Sequence, residues 1–393
     1  MEGSRPPVRA SARRRRALAT VIAAALTATV WLTLFRDGGS DGTGGEERGH
    51  GVSEPVAALV RDLTAEQRVD TVLLLGFDGT EAERPILAQL RRHDLGGVLI
   101  GSQNFSGAGR LANLTGALRA AALSAGRVPP LIVASQEGGP YRSFATLPPQ
   151  LTQLEVGDAG SVARAEEWSR EAGDALRRAN VDVNLFPVAD VASLDSPIAD
   201  RAFSDDPAIA APLVAAALRG CRAARIACAP LHFPGLGAAS QDTNQGPATV
   251  SLDPAGIAER DLAAFEAAIQ SRAPAVVISH AFYAAYDPVT QASLAEPIAT
   301  ELLRDGLGFE GVAITDDLGA GAIKATHSVP EAAVAALVAG ADLLQIGAPD
   351  DQAGVRAALL DALSTGSLSE ARLAEAAGRV LELKRSQGLL GLE

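Results

Sequence analysis

The chain is 393 residues long, 47% hydrophobic but only 4% aromatic, and carries a formal net charge of −13 at neutral pH. So much aliphatic material excludes disorder for most of the length, and the acidic balance argues against nucleic acid or phosphate-rich partners, because no basic footprint exists to release counterions. The basic residues Arg5, Arg9 and Arg13 to Arg16 all stand before residue 17 against one acid, Glu2, so the remainder is more acidic still.

In chain order, the first element is a leader. Residues 17–35 carry no charge; as a helix they would reach about 28 Å, close to the ~30 Å of a bilayer's hydrocarbon core. The arginines on its N-terminal side predict that residues 1–16 stay cytoplasmic and the rest is exported, as a single-pass membrane protein with its domain outside. A cleaved signal, giving a secreted protein, is the rival reading. Residues 36–52, rich in Gly, Asp and Glu, read as a flexible linker, and 53–393 as one domain.

Within that domain eight short apolar runs, at 72–75, 97–100, 131–134, 181–185, 226–229, 275–278, 312–315 and 343–346, alternate with longer Ala- and Leu-rich segments such as 161–179, 257–271 and 330–339. Such strand-helix units predict an α/β fold, a (β/α)8 barrel, with parallel strands covered on both faces. An open doubly wound sheet is the competing arrangement, but no Gly-rich loop has the strand-turn-helix context of a nucleotide fingerprint. Residues 369–390 read as an extra helix sealing the barrel. Cys221 and Cys228, the only cysteines, read as two small buried hydrophobes rather than as the disulfide that export would permit.

Chemistry in such a barrel gathers at the C-terminal ends of the strands. The residues there are polar: Ser135, Gln136 and Glu137 after the third run, Asn184, Asp190 and later Arg201 after the fourth, His232 after the fifth, His280 after the sixth, Asp316 and Asp317 after the seventh. Each alone has a plainer explanation. An Asp after a strand is often a helix N-cap, a lone His is often a satisfied core residue, and Asp190 with Arg201 could be an ordinary ion pair. Converging on one mouth, they would grip a small polyhydroxylated ligand. No metal-ligand constellation and no cofactor motif is apparent, and Lys324 and Lys384 fall in predicted loop or helix, away from the strand ends where a Schiff base would need them.

Several strings resemble those of the bacterial β-N-acetylhexosaminidases of glycoside hydrolase family 3. Leu231-His232-Phe233-Pro234-Gly235-Leu236-Gly237 followed by Asp242-Thr243-Asn244 is similar to K-H-F-P-G-H-G…D-S-H, Asn184 to Val191 to N-F-A-P-V-x-D-V, and Arg201-Ala202-Phe203 to R-S-F. Gln136-Glu137-Gly138-Gly139 resembles D-Q-E-G-G, and Gly308 to Val312 with Thr315-Asp316-Asp317-Leu318 resembles G-F-x-G-V…S-D-D-L, so the likeness spans the exported domain. The resemblance implies a retaining mechanism with Asp316 as nucleophile, Arg201, His232, Glu137 and Asp190 about the sugar, and a histidine acid/base oriented by Asp242.

This chain departs from that pattern at the proton donor. Asn244 occupies the histidine position, an amide that can neither give nor take the catalytic proton near neutral pH. Leu231 stands for the sugar-binding Lys, Ser135 for the Asp before Gln-Glu-Gly-Gly, Pro140 for the following Arg and Leu236 for a second His. Two functions follow as expectations: an impaired hydrolase of β-linked amino-sugar glycans, such as cell-wall material, with Asp242 or Glu137 standing in as acid, or an extracytoplasmic glycan-binding pseudoenzyme. The two-domain β-glucosidase branch, which takes its acid from a further domain, is not expected.

Overall fold

Valine, isoleucine and leucine in the eight runs place apolar side chains on both faces, so each run gains burial only as a central strand covered on both sides. The computed structural model describes residues 51–392. In it the runs form β1 (Leu73–Leu75), β2 (Gly97–Ile100), β3 (Leu131–Ala134), β4 (Val183–Asn184), β5 (Ala227–Cys228), β6 (Ala275–Ile278), β7 (Val312–Thr315) and β8 (Leu344–Ile346). The basic N-terminus, the uncharged segment 17–35 and the linker as far as residue 50 lie outside the described residues. Among the described residues no helix is long and apolar enough to cross a membrane. The linker boundary shifts slightly: Val52 already packs with Val56, Val60 and Leu381.

Parallel pairing runs in the order β8-β1-β2-β3-β4-β5, with β6 beside β7. Two seams remain, and single bridges close them. Phe233, beyond β5, pairs with Ile278 of β6, its amide donating to Val277 O at 2.8 Å, and Ile314 of β7 pairs with Leu343 at the start of β8. The result is a (β/α)8 barrel; the doubly wound alternative would leave β1 and β8 unpaired, and they are in register from Leu73 opposite Leu344 to Leu75 opposite Ile346.

Alternation along the strands divides two cores. Leu74, Leu131, Val133, Val183, Ala275, Val277, Val312 and Ile314 fill the barrel interior, while Leu73, Leu75, Val98, Ile132, Ala134 and Val276 face the helices. The helices form where expected and for legible reasons. Ser161 caps α3 (Val162–Arg178), accepting from the Arg164 amide, and Ser328 with Glu331 forms a capping box on α7 (Val329–Ala339). The others used below are α4 (Pro207–Ala223), α5 (Ala263–Gln270) and the closing α9 (Glu370–Ser386). Val380 and Leu383 of α9 enter the barrel interior from below, each contributing roughly 1.5–3 kcal/mol on burial. Lys384, on the same helix, is fully buried and donates to Leu95 O at 2.6 Å, burial pushing its ammonium down to about 7.

One expectation is overturned. Cys221 and Cys228 are not two free hydrophobes but a disulfide, with 6.2 Å between their Cα atoms. The chain doubles back after α4, so a helix end and the following strand lie side by side and the seven-residue spacing brings the thiols together.

Candidate active site

The ends of β3 to β7 each contribute polar side chains to the upper rim of the barrel. After β3, Gly138 (φ 107°) turns the chain so tightly that a Cβ there would lie 2.2 Å from Leu151 O, and the turn directs Glu137 inward. Glu137 is buried, accepts from the Ser135 hydroxyl at 3.2 Å and takes a two-pronged ion pair from Arg201, Nε and Nη2 each donating at 2.8 Å. Two edges of the guanidinium fork are thus occupied, and Nη1 makes no hydrogen bond among the described residues. Asn184 is structural: its Oδ1 accepts from the Gln136 amide at 2.9 Å and fixes the β3 loop against β4.

Asp190, with no exposed surface, is the organiser of the next loop. Its Oδ1 accepts from the amides of His232 and Leu236, at 3.2 and 2.6 Å, and its Oδ2 lies 2.7 Å from His232 Nδ1. His232 Nε2 in turn lies 3.5 Å from Arg201 Nη2. Burial works against the imidazolium, yet the Asp190 carboxylate outweighs it and raises His232 above its ordinary value. Asp190, His232, Arg201 and Glu137 therefore form one continuous chain of contacts.

Asp316 follows β7, its amide donating to Ile278 O at 3.1 Å. Its Oδ1 accepts from the Asp317 amide at 2.9 Å, the one hydrogen bond its carboxylate makes among the described residues, so Oδ2 is available. Burial would raise its pKa, but His232, the Asp317 amide and the Arg201 guanidinium together hold the carboxyl below its usual value. The neighbouring carboxylate has a different task. Asp317 Oδ1 accepts from the amides of Gly319 and Gly347, at 2.9 and 3.1 Å, and so ties the β7 loop to β8. His280 Nε2 lies 3.0 Å from the carbonyl oxygen of Asp317, an atom that can only accept, so Nε2 carries the proton and Nδ1 accepts from the Ser293 hydroxyl at 2.7 Å. Burial lowers its pKa from the ordinary value.

The loop bearing Asp242 and Asn244 docks beside this centre: Asn244 O accepts from the Gly321 amide at 3.2 Å and Thr243 O from Ala322 at 3.0 Å, both just beyond Asp317. Asp242 Oδ1 accepts from the Asn244 amide at 2.8 Å and from its Nδ2 at 3.0 Å, so the exposed Asn244 side chain is turned onto Asp242. Neither residue bonds to Glu137, Arg201 or Asp316. Leu231, where the related sequences carry Lys, is buried in the barrel interior. Two residues escaped the sequence reading. The Tyr141 ring lies 5.9 Å from the Arg201 guanidinium carbon and is 37% exposed at the rim, an aromatic one turn after Glu137 being the available signal. Asp261 is fully buried behind the His232 loop, with no hydrogen-bond partner for either oxygen among the described residues. Among the described residues no group of His, Cys, Asp and Glu could hold a metal.

Comparison with known proteins places this arrangement. Residues 64–383 match the sequence model described as the glycosyl hydrolase family 3 N terminal domain. A β-hexosaminidase of Stenotrophomonas maltophilia is 32% identical over 320 residues, covering 78% of this chain and 91% of that protein. Among solved structures, a glycoside hydrolase family 3 β-N-acetylglucosaminidase of a Paenibacillus species superposes with a TM-score of 0.79 at 30% identity, over 83% of this chain and 63% of that longer one. A β-N-acetylhexosaminidase of Beutenbergia cavernae gives 0.75 at 29% identity, over 83% of this chain and 99% of the other.

Proposed function

The chain belongs to glycosyl hydrolase family 3, and we propose that it is a retaining β-N-acetylhexosaminidase of amino-sugar glycans with a weakened proton donor. The observation that carries this reading is Asp316: a carboxylate held below its usual pKa, with one oxygen unbonded among the described residues, set against His232 and the Arg201 guanidinium. In the first step its free oxygen attacks the anomeric carbon, the bond to the leaving oxygen breaks, and a glycosyl ester forms. In the second, water displaces the carboxylate and regenerates it. Arg201, held by Glu137, and His232, held by Asp190, hydrogen-bond sugar hydroxyls and do not react.

Both steps need a proton moved at the leaving or attacking oxygen, and Asn244 can do neither. The carboxylate within reach on that loop is Asp242, whose Oδ1 is engaged by Asn244. Loss of a general acid costs roughly 10²–10⁴ in rate, least where the leaving group departs readily as an anion. An aryl N-acetyl-β-glucosaminide is therefore the substrate to test with the residue 51–393 domain, Asp316→Asn being the control that abolishes turnover. Saturable binding of amino-sugar oligomers with no turnover even of the aryl glycoside would instead favour the glycan-binding pseudoenzyme, the reading supported by the Asn244–Asp242 contact. The proposal extends to location: residues 1–16 in the cytoplasm, 17–35 across the membrane, and the barrel outside.

A further inference from the structure

Average acidity conceals one hollow where the balance reverses. On the side where the strands begin, between the end of α4 and the turn into β6, lies a hollow of about 410 Å³ lined by Arg222, Arg225, Arg272, Ser386 and Gln387 and walled by the Cys221–Cys228 disulfide. The three arginines are exposed and none pairs with a carboxylate among the described residues; Arg222 Nη1 donates to the carbonyl of Ser271. No acid lines the hollow; Glu310 and Glu382 line the adjoining one.

A helix C-terminus favours a cation at all three positions: Arg222 stands in the last turn of α4, and Arg225 and Arg272 directly follow the helix caps Ala224 and Ser271. At the last two the backbone does not favour arginine. Each sits at φ 57°, in the left-handed region where Gly and Asn are least costly, and the corresponding turn before β4 carries Asn180 at the same angle. At two successive turns the chain thus keeps a long cation where the backbone favours Asn, and both cations border the same hollow. The disulfide joins α4 to β5 across the turn that carries Arg222 and Arg225, limiting how far they can spread. Like charges gathered without a counter-ion repel, and an anion among them relieves that repulsion; guanidinium forks match phosphate oxygens in particular.

The position says which phosphate. The adjoining hollow shares Pro274 and Ser386 with this one and is lined by Gly51 and Val52, so a tether leaving Gly51 leaves from the arginine-bearing face. Asp316 lies at the other end of the barrel, beyond the last residue of β7. We propose that the Arg222–Arg225–Arg272 hollow is a phosphate site by which the lower face of the barrel docks on an anionic phospholipid surface, leaving the Asp316 mouth directed away from it. This rests on the membrane location proposed above.

The test uses the residue 51–393 domain, whose barrel closes on itself without the leader, and vesicles of phosphatidylcholine with or without phosphatidylglycerol. The domain should sediment with the phosphatidylglycerol vesicles alone. In the Arg225→Asn/Arg272→Asn variant affinity should fall about 30-fold, at about 5-fold per guanidinium near an anionic surface. Its thermal midpoint should hold or rise, because Asn fits both turns, and its turnover of a soluble aryl glycoside should not change. Undiminished binding by the variant, or equal binding to both kinds of vesicle, overturns the proposal. Stabilisation by inorganic phosphate that the variant loses, with no vesicle binding, overturns the lipid assignment. Because the leader is absent, failure here is distinct from failure of the anchoring itself, which is read on the full chain by cell fractionation.

Discussion

Asp316 is half-buried and Asp261 fully buried, and their surroundings send the two carboxyls in opposite directions. Asp316, facing His232 and Arg201, is held below its usual range; the acid limb of kcat/KM should therefore fall below the ordinary aspartate value near 3.9, which a pH profile with the aryl substrate measures. Asp261 has no such partners. Burial first, and the Asp190 charge second, push it up to about 7 against the pull of Arg260. Its folded pKa lies above the unfolded one, so the folded state holds the proton: the stability this group contributes is greatest below pH ~4, declines as pH rises toward 7 and levels off above, by up to about 4 kcal/mol. Asp261→Asn should flatten that slope in denaturant unfolding at several pH values; an unchanged slope would place its origin elsewhere. Asn244 bears on rate. Asn244→His restores a group able to move a proton, with Asp242 already 2.8 Å from the residue 244 amide to orient it. Hydrolysis of unactivated glycosides should rise by roughly 10-fold or more, toward the 10²–10⁴ that a general acid supplies. The gain should be larger in combination with Leu231→Lys, and absent in either background once Asp316→Asn is added.

At the scale of elements, the sequence was most legible where pattern alone decides. All eight barrel strands lie within the apolar runs, and α3 and α7 begin at the Ser residues that cap them, since periodicity and capping are local properties. The strands at 181–185 and 226–229 shorten to two residues each. Asp182 explains part of this: its carboxylate takes the Ile132 amide at 2.8 Å and Arg119 at 2.6 Å, contacts set by residues 50 and 63 positions away. The disulfide was illegible for the same reason, because whether two thiols meet depends on how α4 and β5 lie together, not on their spacing. Cys221→Ser/Cys228→Ser should cost about 2 kcal/mol, the chain-entropy value for so short a loop, read as a lowered unfolding midpoint in denaturant. Since that bridge wall is remote from Asp316, turnover of the folded variant should be unchanged.

The whole molecule shows what summation over a sequence hides. A net charge of −13 gives no hint that three arginines share one hollow on the lower face, since their convergence is set by barrel closure. Barrel closure itself was legible because eight similar units admit few other arrangements, and the site's position at the strand ends followed from it. The proposed orientation of the chain rests on a different property, the asymmetry of charge about residues 17–35: six arginines before, Arg36 and a run rich in Gly, Asp and Glu after. In that orientation the arginine-rich flank stays in the cytoplasm and the barrel lies outside, where the Cys221–Cys228 bridge would also be chemically at home. Protease added to intact cells expressing the full chain should therefore remove the barrel while a cytoplasmic marker survives, and the fragment left in the membrane should carry the N-terminus. A barrel released into the medium would instead identify residues 17–35 as a cleaved signal. Protection of the barrel until the cells are broken would place it in the cytoplasm and refute the export reading altogether.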